Sequence, residues 1–130
     1  YAFGGTYDHD VFGIGKDSGS GLDQRVSRSI NSGSILTLST DSDFTSENTS
    51  HTDVLTEGQY LVIGDNNAGI SSQTTEIPGG IQERIGREWK VENTGLVGAV
   101  NLRFDSFNEN YVLLLDDDGD FTTGTTVQLA

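Results

Sequence analysis

An all-β fold, an antiparallel β-sandwich, is predicted by three features of the sequence. Short apolar runs recur along the whole chain, with turn residues between them. No amphipathic pattern of period 3.6 persists, and Thr, Ser, Asn, Asp and Gly are spread throughout. The spacing of the runs suits short strands in two packed sheets.

The strands follow in order. Val11–Gly15 is a short apolar piece. Gln24–Ile30 alternates, with Val26 and Ile30 apolar and Arg25 and Arg28 polar. Ser34–Leu38 carries Ile35, Leu36 and Leu38, and leads into a polar stretch, Ser39–Thr56, read as a long surface loop ordered by metal. Gln59–Gly64 holds Tyr60-Leu61-Val62-Ile63, a buried strand. Pro78-Gly79-Gly80 marks a loop before Ile81–Val91. There Ile81, Ile85, Trp89 and Val91 are placed on one face, and Glu88 and Lys90 on the other, with Glu92 continuing it. Val97–Phe104 follows across Asn93-Thr94-Gly95, a turn signal, so the two runs are predicted to form a hairpin. Asn110–Leu115 and Thr125–Leu129 complete the set.

A chain of 130 residues suits one domain, here a single β-sandwich over 1–130. With 33% hydrophobic residues the core is lean, and no cysteine is present to staple it. Methionine is absent even at position 1. The chain is therefore expected to be the larger, C-terminal part of a domain excised from a longer protein, with residues 1–7 as a junction. No apolar run approaches the ~20 residues of a membrane helix. The net charge of −13 argues against nucleic acid and anionic membrane as partners. The acids are 13 Asp and 7 Glu. Asp favours loops and oxygen-rich metal sites, so the bias points to loops that bind hard cations.

The strongest such loop follows Leu113-Leu114-Leu115. Asp116, Asp117, Asp118 and Asp120 place four carboxylates in five positions around Gly119. Carboxylates at i, i+2 and i+4, here Asp116, Asp118 and Asp120, match the first three ligands of an EF-hand loop. The match ends there: Phe121 stands where that loop needs Gly, and Val127 where it needs Glu. The ligands are hard oxygens, with no Cys or His near, so calcium suits them better than zinc. Repulsion among adjacent carboxylates weighs against the bland alternative, a solvated acidic turn. A weak internal repeat carries the same device. Ile35–Ser46 and Leu113–Thr123 each run from an apolar strand into Asp-x-Asp-Phe and two hydroxyl residues. In the first copy the candidates are Asp41 and Asp43, with Ser39 in the place of Asp116.

Two further loops offer ligands. Asp17 lies in Gly13-Ile14-Gly15-Lys16-Asp17-Ser18-Gly19, a single G-x-G-x-D that cannot build a β-roll, and the alternative is a Gly-rich hairpin turn. Asp65 and Asn67 follow the buried strand in Gly64-Asp65-Asn66-Asn67, where an Asn-rich turn without metal is the simpler assignment. Loops at one end of the sandwich can share ions. His9 and His51 read as surface residues, a Ser-His-Asp assignment carries almost no weight in so Ser- and Asp-rich a chain, and Trp89 reads as core.

Gly13 through Ser27 resembles a motif of large secreted bacterial surface proteins. Thr40–Thr45, Leu61–Asn67, Arg87–Gly95 and Tyr111–Phe121 extend the likeness over Asp10 to about Val127. In this order the set is similar to the split domain of RTX adhesins, a β-sandwich often found beside laminin-G-like domains. Lys16 and Ser18 depart from it, standing where Arg and Asp are expected. The resemblance implies an extracellular, bacterial-surface module in a long adhesin, non-catalytic and calcium-dependent. Its role would be a rigid monomeric scaffold in cell adhesion and biofilm formation, contacting neighbouring domains of the same chain. A calcium-dependent module that binds a glycan or peptide is the alternative.

Overall fold

The structure, a computed structural model, describes residues 5–95, 97–105, 107 and 111–129, the last four by backbone alone. Residues 1–4 of the expected junction and Asn110 of the expected strand lie outside the described residues. The fold is all-β with antiparallel pairing throughout, and the one helical turn described is a 3₁₀ turn at Asn48–Ser50. The chain divides into two compact units, Tyr1–Asn67 with Trp89–Asp105, and Ala68–Glu88 with Ser106–Ala130.

The first unit is a two-sheet sandwich. Strands β1 (His9–Asp17), β2 (Leu22–Gln24), β5 (Tyr60–Asp65) and β8 (Trp89–Thr94) form one sheet in the order β2-β1-β5-β8. Strands β3 (Val26–Arg28), β4 (Leu36–Ser39) and β9 (Asn101–Phe104) form the other, in the order β3-β4-β9. Alternation explains the core. Phe12 and Ile14 of β1 stand opposite Ile63 and Leu61 of β5, so four apolar side chains share one face. Leu36 and Leu38 of β4 meet them, with Leu55 and Val97 from the connections, while Trp89 and Phe104 pack at the margin. Gly13 and Gly15 alternate with those apolar residues. A Cβ on Gly13 would lie 2.5 Å from the Leu61 carbonyl oxygen, and one on Gly15 would lie 2.5 Å from the Tyr60 ring.

The second unit holds two hairpin-like pairs. β6 (Ser72–Gln73) pairs with β7 (Arg84–Ile85), and β10 (Val112–Leu115) pairs with β11 (Thr126–Leu129). Its organiser is Arg84, whose side chain is 7% exposed. The guanidinium reaches Glu76 and Glu88 at 2.9 Å each, donates to the carbonyls of Thr75, Glu76 and Ile85, and lies 5.1 Å over the Phe121 ring.

Three sequence expectations are corrected. The run Gln24–Ile30 is two strands, because Arg25 breaks it: its amide is held by the Asn48 side chain and its guanidinium by Asp23 and the His51 carbonyl. β2 thus stays in one sheet while β3 enters the other. Ile81–Val91 also divides, into β7 and β8, which belong to different units. Nor do β8 and β9 form a hairpin; β8 pairs with β5 and β9 with β4. The Asn93 side chain clamps both the amide and the carbonyl of Val97, at 2.8 and 3.0 Å, and the chain crosses between sheets instead of folding back.

Candidate functional site

The acidic loop is the turn of the β10–β11 hairpin. Leu115 pairs with Thr126, so the residues from Asp116 to Thr125 leave the ladder together. Backbone amides then turn towards carboxylates. Asp116 Oδ2 accepts from the amides of Asp118 (3.1 Å) and Gly119 (2.6 Å), and Asp118 Oδ1 from that of Asp120 (2.9 Å). Asp120 Oδ1 accepts from the Thr122 amide and hydroxyl, at 3.0 and 2.6 Å. Gly119 takes φ 85°, a conformation that a side chain disfavours. The result gathers Asp116, Asp117 and Asp118, with one carboxylate oxygen of each within 4.8 Å of the others. Asp120 is not in this group; its Oδ1 is turned to Thr122, whose hydroxyl and amide lower its pKa. Asp117, which the i, i+2, i+4 spacing passed over, takes its place. Burial alone would raise the Asp116 pKa, but the Gly119 amide and the contacts with Asp118 outweigh it and hold the carboxyl below its ordinary value. Among the described residues no Lys or Arg pairs with Asp116, Asp117 or Asp118.

The first copy of the repeat has the same backbone turn. The Asp41 amide meets Ser39 Oγ at 3.3 Å, the Asp43 amide meets Asp41 Oδ1 at 3.0 Å, and the Thr45 amide meets Asp43 Oδ1 at 2.9 Å. Phe44 lies under Arg103, at 5.3 Å, as Phe121 lies under Arg84. The charge is handled differently. His51 is buried, not on the surface as the sequence implied, and its Nδ1 is 2.7 Å from Asp41 Oδ1. The other ring nitrogen, Nε2, faces the Ser46 carbonyl at 3.3 Å. Both partners accept, so these contacts favour a proton on each nitrogen, the charged form of the ring. Burial lowers the His51 pKa, but the Asp41 bond, the Ser46 carbonyl and the charges of Asp41 and Asp43 raise it further, to above its usual value. For Asp41, burial alone would raise the pKa; the Asp43 amide, His51 and the Thr52 amide bring it down to about 2. The Asp43 carboxyl is pulled well below its usual range by the Ser46 hydroxyl and the Thr45 and Ser46 amides.

Ser39, His51 and Asp41 therefore meet, but not as a catalytic triad. Ser39 Oγ lies 3.3 Å from Nδ1, the nitrogen already given to Asp41, and Nε2 is turned to a carbonyl. No ring nitrogen is left to take the serine proton.

The other candidates cap turns. Asp17 accepts from the Gly19 amide (3.0 Å) and the Ser20 hydroxyl (2.7 Å); the hydroxyl is the larger cause of its lowered pKa. Asp65 is 1% exposed, and its Oδ1 accepts the amide of Asn67, which sits at φ 56°. Asp17 and Asp65 end antiparallel neighbours, β1 and β5, so they lie at opposite ends of the sheet and cannot share an ion. Among the described residues no second group of three His, Asp or Glu is gathered as Asp116–Asp118 is.

Fold and site together define an antiparallel β module with an acidic loop at a strand end. Residues 2–130 match the family model described as "Domain of unknown function (DUF8202)", and the chain belongs to that family. No curated protein and no solved structure matches it.

Proposed function

We propose that the chain is a non-catalytic, calcium-binding module of an extracellular bacterial adhesin, a scaffold that spaces or presents ligand-binding domains of a long protein. The observation that carries the metal assignment is the cluster of Asp116, Asp117 and Asp118, whose carboxylates converge with no Lys or Arg against them among the described residues. The donor set is all carboxylate oxygen, which fits calcium. The extracellular adhesin setting rests on the resemblance to RTX split domains. Bound calcium neutralises the loop and holds the β10–β11 turn, adding its binding energy to that of folding.

The test is thermal unfolding of the chelated protein with and without added calcium, with magnesium as control. At one hundred times its dissociation constant the ion contributes about 2.7 kcal/mol, a rise of several degrees in Tm. An unchanged Tm, with no heat of binding in calorimetry, rejects the reading.

A further inference from the structure

Arg28, Thr37 and Arg103 stand in one row across the three-stranded sheet, Thr37 opposite both arginines. A groove of about 300 Å³ runs over this row, with Phe44, Ser27 and Ser46 among its walls. Two polar atoms at the row are buried without a hydrogen-bond partner, Thr37 Oγ1 and Arg103 Nε. Thr37 as a whole is 3% exposed. Asp105 Oδ1 lies 3.5 Å from Arg103 Nε, an ion-pair contact without hydrogen-bond geometry, and its Oδ2 is given to Arg28. Two cations thus share one carboxylate.

The molecule supplies its own comparison. Arg84 and Arg103 each lie over the Phe of a repeated loop. The Arg84 fork is filled by two carboxylates and three carbonyls. The side chain of Arg103 is 41% exposed, and its terminal nitrogens meet no acceptor among the described residues. A carboxylate is the group whose shape fits that fork, by two parallel hydrogen bonds.

We infer that this groove binds a small molecule that carries a single carboxylate. The carboxylate meets Arg103, and a small shift of that exposed side chain uncovers the Thr37 hydroxyl. The Phe44 ring under Arg103 offers an apolar edge to the body that carries the carboxylate. The volume lies at the lower end of the ~300–1,000 Å³ of small-molecule sites, enough for one such unit. The chain's net charge of −13 repels polyanions, so a ligand with one carboxylate is favoured over an acidic peptide tract or a nucleic acid.

The test is an amide chemical-shift titration of the whole chain at constant ionic strength. The probes are glucuronate, glucose, acetate and a blocked tripeptide with a central glutamate. Glucuronate and acetate, which share the carboxylate, are expected to shift the Thr37, Phe44 and Arg103 amides saturably, the bulkier peptide more weakly, and glucose not at all. Arg103→Gln should weaken glucuronate binding about tenfold or more, as for a lost charged hydrogen bond. Thr37→Val should weaken it about threefold without lowering Tm, because the hydroxyl has no partner to lose. No saturable shift with glucuronate, or binding unchanged in folded Arg103→Gln, overturns the site. A saturable shift with glucose equal to that with glucuronate overturns the carboxylate assignment.

Discussion

Replacing His51 with alanine tests how the first acidic loop is held. The residue is 2% exposed, and its ring bridges Asp41 and the Ser46 carbonyl. The substitution removes the bonds to Asp41 and the half-buried Ser46 carbonyl and opens a cavity, and is expected to cost about 3–5 kcal/mol. That is a large share of the ~5–15 kcal/mol of a typical domain. Trp89 provides the assay, being the only tryptophan and packed edge-on to Phe104 in the same unit, with ring centroids 5.4 Å apart. In urea unfolding the Trp89 midpoint should fall with little change in slope. The pH dependence follows from the raised His51 pKa. A group whose pKa is raised on folding binds its proton more tightly when folded, so its contribution is complete below the unfolded value of ~6.5 and is lost as pH rises through the folded value. Wild-type stability should therefore decline from about pH 6.5 upward, and His51→Ala should lose that decline. A midpoint unmoved by the substitution, or a wild-type stability that climbs over that range, would refute an imidazolium at this position.

Three further outcomes follow from other parts of the molecule. Arg84→Met strips the buried cation from Glu76 and Glu88 and is expected to cost about 3–5 kcal/mol; amide exchange should speed up at Ser72–Gln73 and Arg84–Ile85, and protection equal to wild type there would count against Arg84 as the organiser of its unit. Gly13→Ala should lower Tm more than Gly15→Ala, because the first meets a backbone carbonyl and the second a ring that can move. Asp118→Ala should lose more of the calcium-induced rise in Tm than Asp53→Ala, at an exposed position outside the cluster; equal losses would mean that the acidic loop is only solvated charge.

Most of the fold was legible because period-2 alternation and turn residues act locally. Phe12, Ile14, Leu61 and Ile63 alternate cleanly, and the strands that carry them lie close to where the pattern puts them. The errors occur where one side chain reaches far along the chain. Arg25 bonds to Asn48 and His51, over twenty residues away, and that breaks a run which alternates correctly. Asn93 clamps Val97 where Asn-Thr-Gly reads as a hairpin turn. His51 was assigned to the surface for the same reason: its acceptors, Asp41 and the Ser46 carbonyl, are supplied by a polar loop with no apolar pattern to mark a buried site. At the acidic loop the residues were legible but the subset was not. Alternate spacing selects Asp120, whereas the tight turn directs Asp120 to Thr122 and brings Asp117 in.

The repeated loop gives the strongest reason to expect a cation at Asp116–Asp118. Both copies use the same three amide-to-side-chain bonds, and both set their Phe beneath an arginine. In the first copy Ser39 replaces one acid, and the buried His51 ring meets Asp41 Oδ1. In the second the matching positions are Asp116 and Asp118, and Asp117 is added. One turn geometry thus carries more negative charge in the second copy, where no Lys or Arg pairs with Asp116, Asp117 or Asp118 among the described residues. The proposed calcium ion would supply to Asp116–Asp118 the neutralising charge that His51 offers Asp41 from within the chain. Adding a positive charge to the second loop by Asp117→Lys should therefore raise the Tm of the chelated protein and reduce the further rise on adding calcium; a variant that keeps the full calcium response would show that loop charge and ion binding are not coupled.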